Sequence, residues 1–172
     1  QAYFPDIKLG EAVTGASFCP HDGDVNPLKL LRALHTAFVN TGGRYKSRCK
    51  VDSIDHANGV FTANTQEGRF SAPKIVLAAG HGISQLAESV GIDAPIRPQR
   101  GQVLVTERIQ QALPMPLNGV RQTDEGGFQF GSSEEDIGYD DGTSLDVVQN
   151  IAARAVQSFP QLGGVKLIRN WG

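Results

Sequence analysis

The sequence predicts an α+β fold in which a mostly antiparallel sheet is accompanied by helices. Three observations carry this expectation. Helical periodicity appears at 27–40 and again after Thr143. Between these lie runs rich in β-branched and aromatic residues, separated by short glycine turns, as in antiparallel hairpins. One further run, KIVLAA at 74–79, is apolar throughout. Such runs fit strands covered on both faces, the situation in parallel sheets.

The elements follow in chain order. GASFCP at 15–20 reads as a short strand, and HDGDVNP as a polar turn. Asn26 is placed to cap the next helix and Pro27 suits its first position. Leu28, Leu31, Leu34 and Phe38 recur at helical spacing, which predicts a buried face on a helix over 27–40. TGG at 41–43 ends it, because glycine takes the left-handed conformation cheaply. RYKSR, KVDSIDH, GVFTANT and RFSA predict a β-meander, with QEG at 66–68 as one turn. GISQLAESVG at 82–91 predicts a short helix ending at Gly91. An extended, alternating pattern starts at Gln102, and VRQT and GFQFGSS flank the turn DEGG as an antiparallel pair. Thr143 with Asp146 resembles a capping box. The helix after it places Leu145, Val148, Ala152, Ala155, Val156 and Phe159 on one face, Pro160 stops it, and VKLIRNW is a last strand.

Composition narrows the function classes. The 172 residues are 40% hydrophobic and 20% charged, ordinary for a soluble globular chain. Sixteen basic residues against eighteen acidic ones give a net charge of -2, and there is no basic stripe, which argues against nucleic acid as a partner. The apolar stretches are all shorter than ten residues, too short for a membrane-spanning helix. The opening QAYFPDIKLG lacks a signal-peptide pattern and reads as a cut through a longer protein. Cys19 and Cys49 fit no metal or redox spacing, so two reduced thiols in a cytoplasmic protein are expected. The histidines His21, His35, His56 and His81 are scattered, so no zinc site is expected.

Each candidate motif has a functional and a plain reading. In AAGHG, residues 78–82, small side chains would let backbone N–H groups reach a phosphate without Cβ clashes. The dinucleotide pattern G-x-G-x-x-G is incomplete there, because Gln85 stands at its third glycine. Taken alone, a tight strand-to-helix turn explains it as well. RPQRGQ at 97–102 either faces a carboxylate or phosphate with its arginines, or is an edge strand blunted by proline. Arg121 and Gln122 either line a pocket or face water. The acidic run Glu134, Glu135, Asp136, Asp140 and Asp141 lacks calcium-loop spacing and reads as a solvated loop. His81 in its glycine turn is given no role.

Six stretches, taken together and in order, narrow these alternatives. They are DGDVNPLKLLRAL, GRFSAPKIVLAAG, PIRPQRGQVLVTE, RQTDEGGFQFGSSEE, RAVQSFPQL and RNWG. This series resembles the middle of a flavoprotein of the D-amino-acid oxidase superfamily. The resemblance is strongest to its glycine oxidase, sarcosine oxidase and hydrogen-cyanide-synthase or opine-oxidase-like branch, and it runs from about residue 13 to the end.

The resemblance implies a fold with partial FAD-binding, Rossmann-like elements beside a mostly antiparallel substrate-domain sheet. It implies one truncated unit, with a partial FAD-binding region and β-meander over 13–91 and a substrate-domain region over 92–172. It implies removal of a hydride from the C–N unit of an amino acid or secondary amine, with the flavin as acceptor and hydrolysis of the imine. FAD-binding positions carried over are Val51, whose backbone would meet the adenine, and Ala78, Ala79, Gly80 and Gly82. Arg100, Gln102, Arg121 and Gln122 would fall on strands bordering the substrate cavity. The family's G-x-G-x-x-G helix would lie upstream and its carboxylate-gripping arginine downstream. The isolated chain is therefore expected to be inactive and to bind FAD weakly or not at all. The lost neighbour of KIVLAA implies self-association through an exposed sheet edge, or disorder near 44–80. The resemblance also allows a second, partner subunit in the full-length enzyme. The alternative class is a non-catalytic binding or interaction module that keeps the fold without flavin.

Overall fold

A computed structural model describes residues 7–172. Its elements are α1 (Pro27–Asn40), β1 (Val51–Ala57), β2 (Val60–Thr65), β3 (Gly68–Ala72), α2 (Ile83–Glu88), β4 (Val103–Arg108), β5 (Val120–Gln122), β6 (Gly127–Phe130), α3 (Leu145–Ser158) and β7 (Leu167–Trp171). They fall into two compact units. One comprises the described residues through Arg32 together with Gln99–Gly172; the other is Ala33–Pro98.

In the first unit the sheet runs β5-β6-β4-β7, antiparallel throughout. Alternation along the strands sends Leu104, Phe128 and Phe130 to the face that packs against Ile151, Ala155 and Phe159 of the α3 region. Thr106 joins this buried layer, and its hydroxyl accepts from the Phe128 N–H at 2.9 Å. The β5–β6 hairpin turns at Gly126, where φ is +94° and an added Cβ would lie 2.5 Å from the Ile109 carbonyl. Both the backbone angle and the close approach require glycine there.

In the second unit β1, β2 and β3 form the antiparallel meander that the sequence predicts. Asn58 and Gly59, at φ +52° and +75°, make the two-residue turn that suits the right-handed strand twist. Ile54 of β1 and Ala87 of α2 are both buried. The Ser89 hydroxyl accepts from the Ile54 N–H at 3.3 Å and donates to the Leu86 carbonyl at 2.7 Å. Gly91, at φ +74°, closes the helix, and its N–H donates to the Glu88 carbonyl.

The helix ends match the sequence reading at α1. The Asn26 side chain accepts from the N–H groups of Leu28 and Lys29 at 3.1 and 3.2 Å. At the other end the Gly43 N–H donates to Phe38 and the Gly42 N–H to Val39, with Gly42 at φ +87°. This is the reciprocal pair of bonds that glycine permits at a helix C-terminus.

Several expectations are corrected. The α1 face carrying Leu28, Leu31, Leu34 and Phe38 is exposed, at 48–76% for these four. Helical spacing identifies an apolar stripe but not what covers it. KIVLAA forms no strand, and Val76 is 87% exposed. No described strand pairs with it, and a lone extended run has no ladder to join. GASFCP likewise has no partner strand among the described residues. RYKSR is broken by Arg48, whose φ of +54° interrupts extension. On α3 the cap is Ser144, not Thr143, and no side-chain cap bond is made. Leu145 and Val156 of the expected buried face are exposed, and Ile151 takes the central buried place.

Candidate functional site

The expected site residues divide between the two units. Arg100, Gln102, Arg121 and Gln122 lie in the first; Val51, Ala78, Ala79, Gly80 and Gly82 lie in the second.

Arg100 and Gln102 sit in a closed polar cluster at the start of α3. Both are buried, and the Arg100 side chain is only 6% exposed. The guanidinium grips Glu135 with two donors, Nη2 at 2.5 Å and Nε at 3.2 Å. Nη2 also donates to the Ser144 hydroxyl at 2.6 Å, and Nη1 donates to the Gly142 carbonyl at 3.0 Å. Asp140 adds an ion pair at 3.2 Å. The Gln102 amide donates to Glu135 at 2.8 Å and accepts from the Ser144 N–H at 3.1 Å. The Ser144 hydroxyl is thus engaged with Arg100, which explains why it does not cap its own helix. Glu135, read from sequence as part of a solvated loop, is instead the centre of this cluster. Nothing in local spacing joins it to Arg100, which lies 35 positions away.

The cluster has an electrostatic signature. Hydrogen bonds from Arg100, then from Gln102, hold the Glu135 carboxyl down at about 2 against an ordinary 4.5. The same contact with Glu135 raises Arg100. A depressed carboxylate contributes stability above its unfolded pKa and loses it as pH falls through its folded one. The protein should therefore lose stability between about pH 4.5 and about 2, and Glu135→Gln should flatten that stretch of the curve. Thermal melts of both proteins across that range check this; parallel curves would contradict it.

Arg121 and Gln122 behave differently. Gln122 is buried among backbone groups, accepting from the Ala112 and Leu113 N–H groups and donating to the Gln110 and Gly126 carbonyls. Arg121 lies on the opposite face of the sheet. Its Nε donates to the Gln129 side-chain carbonyl at 2.7 Å; Nη1 donates to Asp24 and the Val25 carbonyl, both at 2.9 Å. Beside it Lys29 pairs with Asp124 at 2.6 Å. That contact raises the Lys29 ammonium and lowers the Asp124 carboxyl. These groups line a cavity of about 330 Å³. Each cation here already has an acidic partner from within the unit.

In the second unit Val51 is half-buried at the start of β1, opposite Thr65, where the register shifts before Ser53. Ala78, Ala79, Gly80 and Gly82 form an exposed turn leading into α2. Gly80 has φ +54°, and an added Cβ would meet nothing within 4 Å. At Gly82 it would meet only the Ala79 Cβ, at 3.7 Å. Small residues therefore border open space on this turn, and a flavin nucleotide's phosphates or ribityl chain fits such a surface. Among the described residues no His, Cys, Asp or Glu group could hold a metal ion, and no helix is long and apolar enough to cross a membrane.

The whole length, residues 1–172, matches the family model described as DAO, FAD dependent oxidoreductase. The chain belongs to this FAD-dependent oxidoreductase family. It is 39% identical over 165 residues to an opine oxidase subunit of Agrobacterium tumefaciens (strain Ach5), covering 96% of this chain and 44% of that one. It is 28% identical over 176 residues to glycine oxidase of Pseudomonas putida, covering 99% and 48%. The chain thus spans about half the length of the curated relatives it matches. The fold is shared with the crystal structure of glycine oxidase from Geobacillus kaustophilus, at TM-score 0.84 and 24% identity over 95% of this chain and 45% of that one. The α+β class and the family resemblance read from the sequence both stand.

Proposed function

We propose that the full-length protein is an FAD-dependent oxidoreductase that oxidises the C–N bond of an amino acid or secondary amine. The observation that carries this reading is the open turn at Gly80, in a chain matched from end to end by an FAD-dependent family. Val51 and the small residues Ala78, Ala79, Gly80 and Gly82 would hold the FAD, with backbone dipoles rather than side chains against it. When bound, FAD supplies the acceptor for the hydride removed from the substrate.

The chain's own contribution is positional. The cluster of Arg100, Glu135 and Gln102 ties the segment before β4 to the start of α3. Its donors and acceptors are taken up internally, which assigns Arg100 and Gln102 to the scaffold of the substrate region rather than to substrate contact. Arg121 is held by Asp24 and Gln129 on the other face, where a small amine substrate would be met. We assign residues 13–91 to the FAD-binding region and 92–172 to the substrate region.

The 172 residues contain no G-x-G-x-x-G, and the isolated chain would bind FAD weakly and turn over no amine. The name of the opine oxidase relative describes it as one subunit of an assembly, and a second, partner subunit is part of this reading. Cys19 and Cys49 are both free thiols, in keeping with a cytoplasmic protein. The test is an assay of the full-length protein against a panel of amino acids and secondary amines with an artificial electron acceptor. Turnover of at least one such amine is expected. A flavin-free protein that turns over none would instead mark a binding module retaining the fold.

A further inference from the structure

The cavity beside Arg121 has two walls of unequal construction. It encloses about 330 Å³, and every residue lining it belongs to the first unit. One wall is the loop that carries Leu113, Pro114, Met115 and Pro116. Leu113 is 2% exposed, and the buried Gln122 side chain accepts from the Ala112 and Leu113 N–H groups at 2.8 and 3.0 Å. This wall is therefore anchored in the core of the unit. The facing wall is residues 24–29, which run into the first turn of α1. None of residues 21–30 is buried, and only Asn26 is half-buried. Among the described residues no backbone–backbone hydrogen bond ties residues 24–29 to the sheet.

Side chains make that connection instead, one clasp at each end of the segment. At one end Arg121 Nη1 donates to the Asp24 carboxylate and to the Val25 carbonyl, both at 2.9 Å. At the other, Lys29 Nζ pairs with Asp124 at 2.6 Å, and these two side chains are 61% and 78% exposed. Exposed ion pairs are individually weak and are screened by salt. A segment with few buried contacts opens at low free energy. The two clasps therefore hold a wall that the core does not hold.

We propose that residues 24–29 form a latched wall: the Arg121–Asp24 and Lys29–Asp124 pairs keep the cavity closed on the α1 side, and their release opens it to small solutes. The latch is a conformational device of the first unit. It goes beyond the amine-oxidising function proposed above and does not rest on it, because the cavity, both clasps and the anchored wall are defined without a substrate.

Met115 supplies a native probe, since it lines the cavity, is half-buried and is the single methionine of the 172 residues. The test follows its conversion to the sulfoxide by hydrogen peroxide in the full-length protein, read peptide by peptide by mass spectrometry. Peroxide carries no charge and a thioether does not ionise, so salt and nearby charges act on the wall rather than on the reagent or the probe. Wild type is compared with the double variant Asp24→Asn, Asp124→Asn. Oxidation at Met115 should accelerate about threefold or more in the variant, the scale set by two exposed ion pairs. Raising salt from about 0.01 to about 1 M, which shortens the screening length from about 30 to about 3 Å, should accelerate it in wild type and have less effect in the variant. Hydrogen exchange of the α3 amides, whose helix packs on the opposite face of the sheet, should stay unchanged throughout. A Met115 rate that responds to neither the variant nor salt overturns the latch. So does an equal acceleration of α3 exchange, which would mark general loosening of the unit. The salt series on wild type decides the matter by itself if the double variant does not fold.

Discussion

Phe128→Ala will be the most damaging single truncation in the first unit. Phe128 is 2% exposed, among the largest fully buried side chains, and its ring stacks on Phe130 with centroids 5.8 Å apart. Removing a buried phenylalanine side chain costs about 3–5 kcal/mol, combining lost transfer free energy with the cavity left behind. For a domain of this size that lowers Tm by roughly 6–20 °C. Calorimetry on the full-length protein should show the drop. Leu145→Ala serves as the contrast. Leu145 is 72% exposed at the start of α3, and a substitution there should stay within about 0.5 kcal/mol. Equal losses for the two variants would mean that the core is not where these contacts place it.

Gly80→Val will weaken FAD binding to the full-length protein at least about tenfold, or about 1.4 kcal/mol. Two effects act together. Gly80 has φ +54°, a backbone conformation that a β-branched residue adopts only under strain. The added isopropyl group would also occupy the open space beside the turn, where a flavin nucleotide would lie. A control separates strain from occlusion. Gly59 has φ +75° in the β1–β2 hairpin of the same unit, with nothing within 4 Å of an added Cβ. Gly59→Val carries a similar backbone penalty away from the turn, and should lower stability while leaving FAD affinity unchanged. Flavin titration of the apoproteins measures both. Equal affinity for Gly80→Val and wild type would remove the turn from the site.

The parts of the fold legible in sequence are those set by local chemistry. The Asn26 cap, the stop at Gly42 and Gly43 and the meander turn at 66–68 each depend on a few adjacent residues. The parts that are not legible depend on distant partners. The stripe Leu28, Leu31, Leu34 and Phe38 has the helical period, but periodicity does not supply the surface that covers it. KIVLAA has the composition of a buried strand, yet strand formation needs a neighbour with free ladder groups. The same division holds at the site. The small-residue turn at 78–82 is visible as a string of letters, whereas the role of Glu135 in its acidic loop emerges only with Arg100 beside it. Gln129 gives no signal for a related reason. Its place opposite Arg121 is a property of strand register, which no single segment displays.

The central claim is that the turn from Ala78 to Gly82 lies against a bound flavin nucleotide. Its most direct test is the ratio of FAD to protein in the full-length polypeptide, purified from flavin-replete cells and read from flavin absorbance. The account predicts one FAD per chain. A colourless protein that takes up no FAD on titration would contradict it.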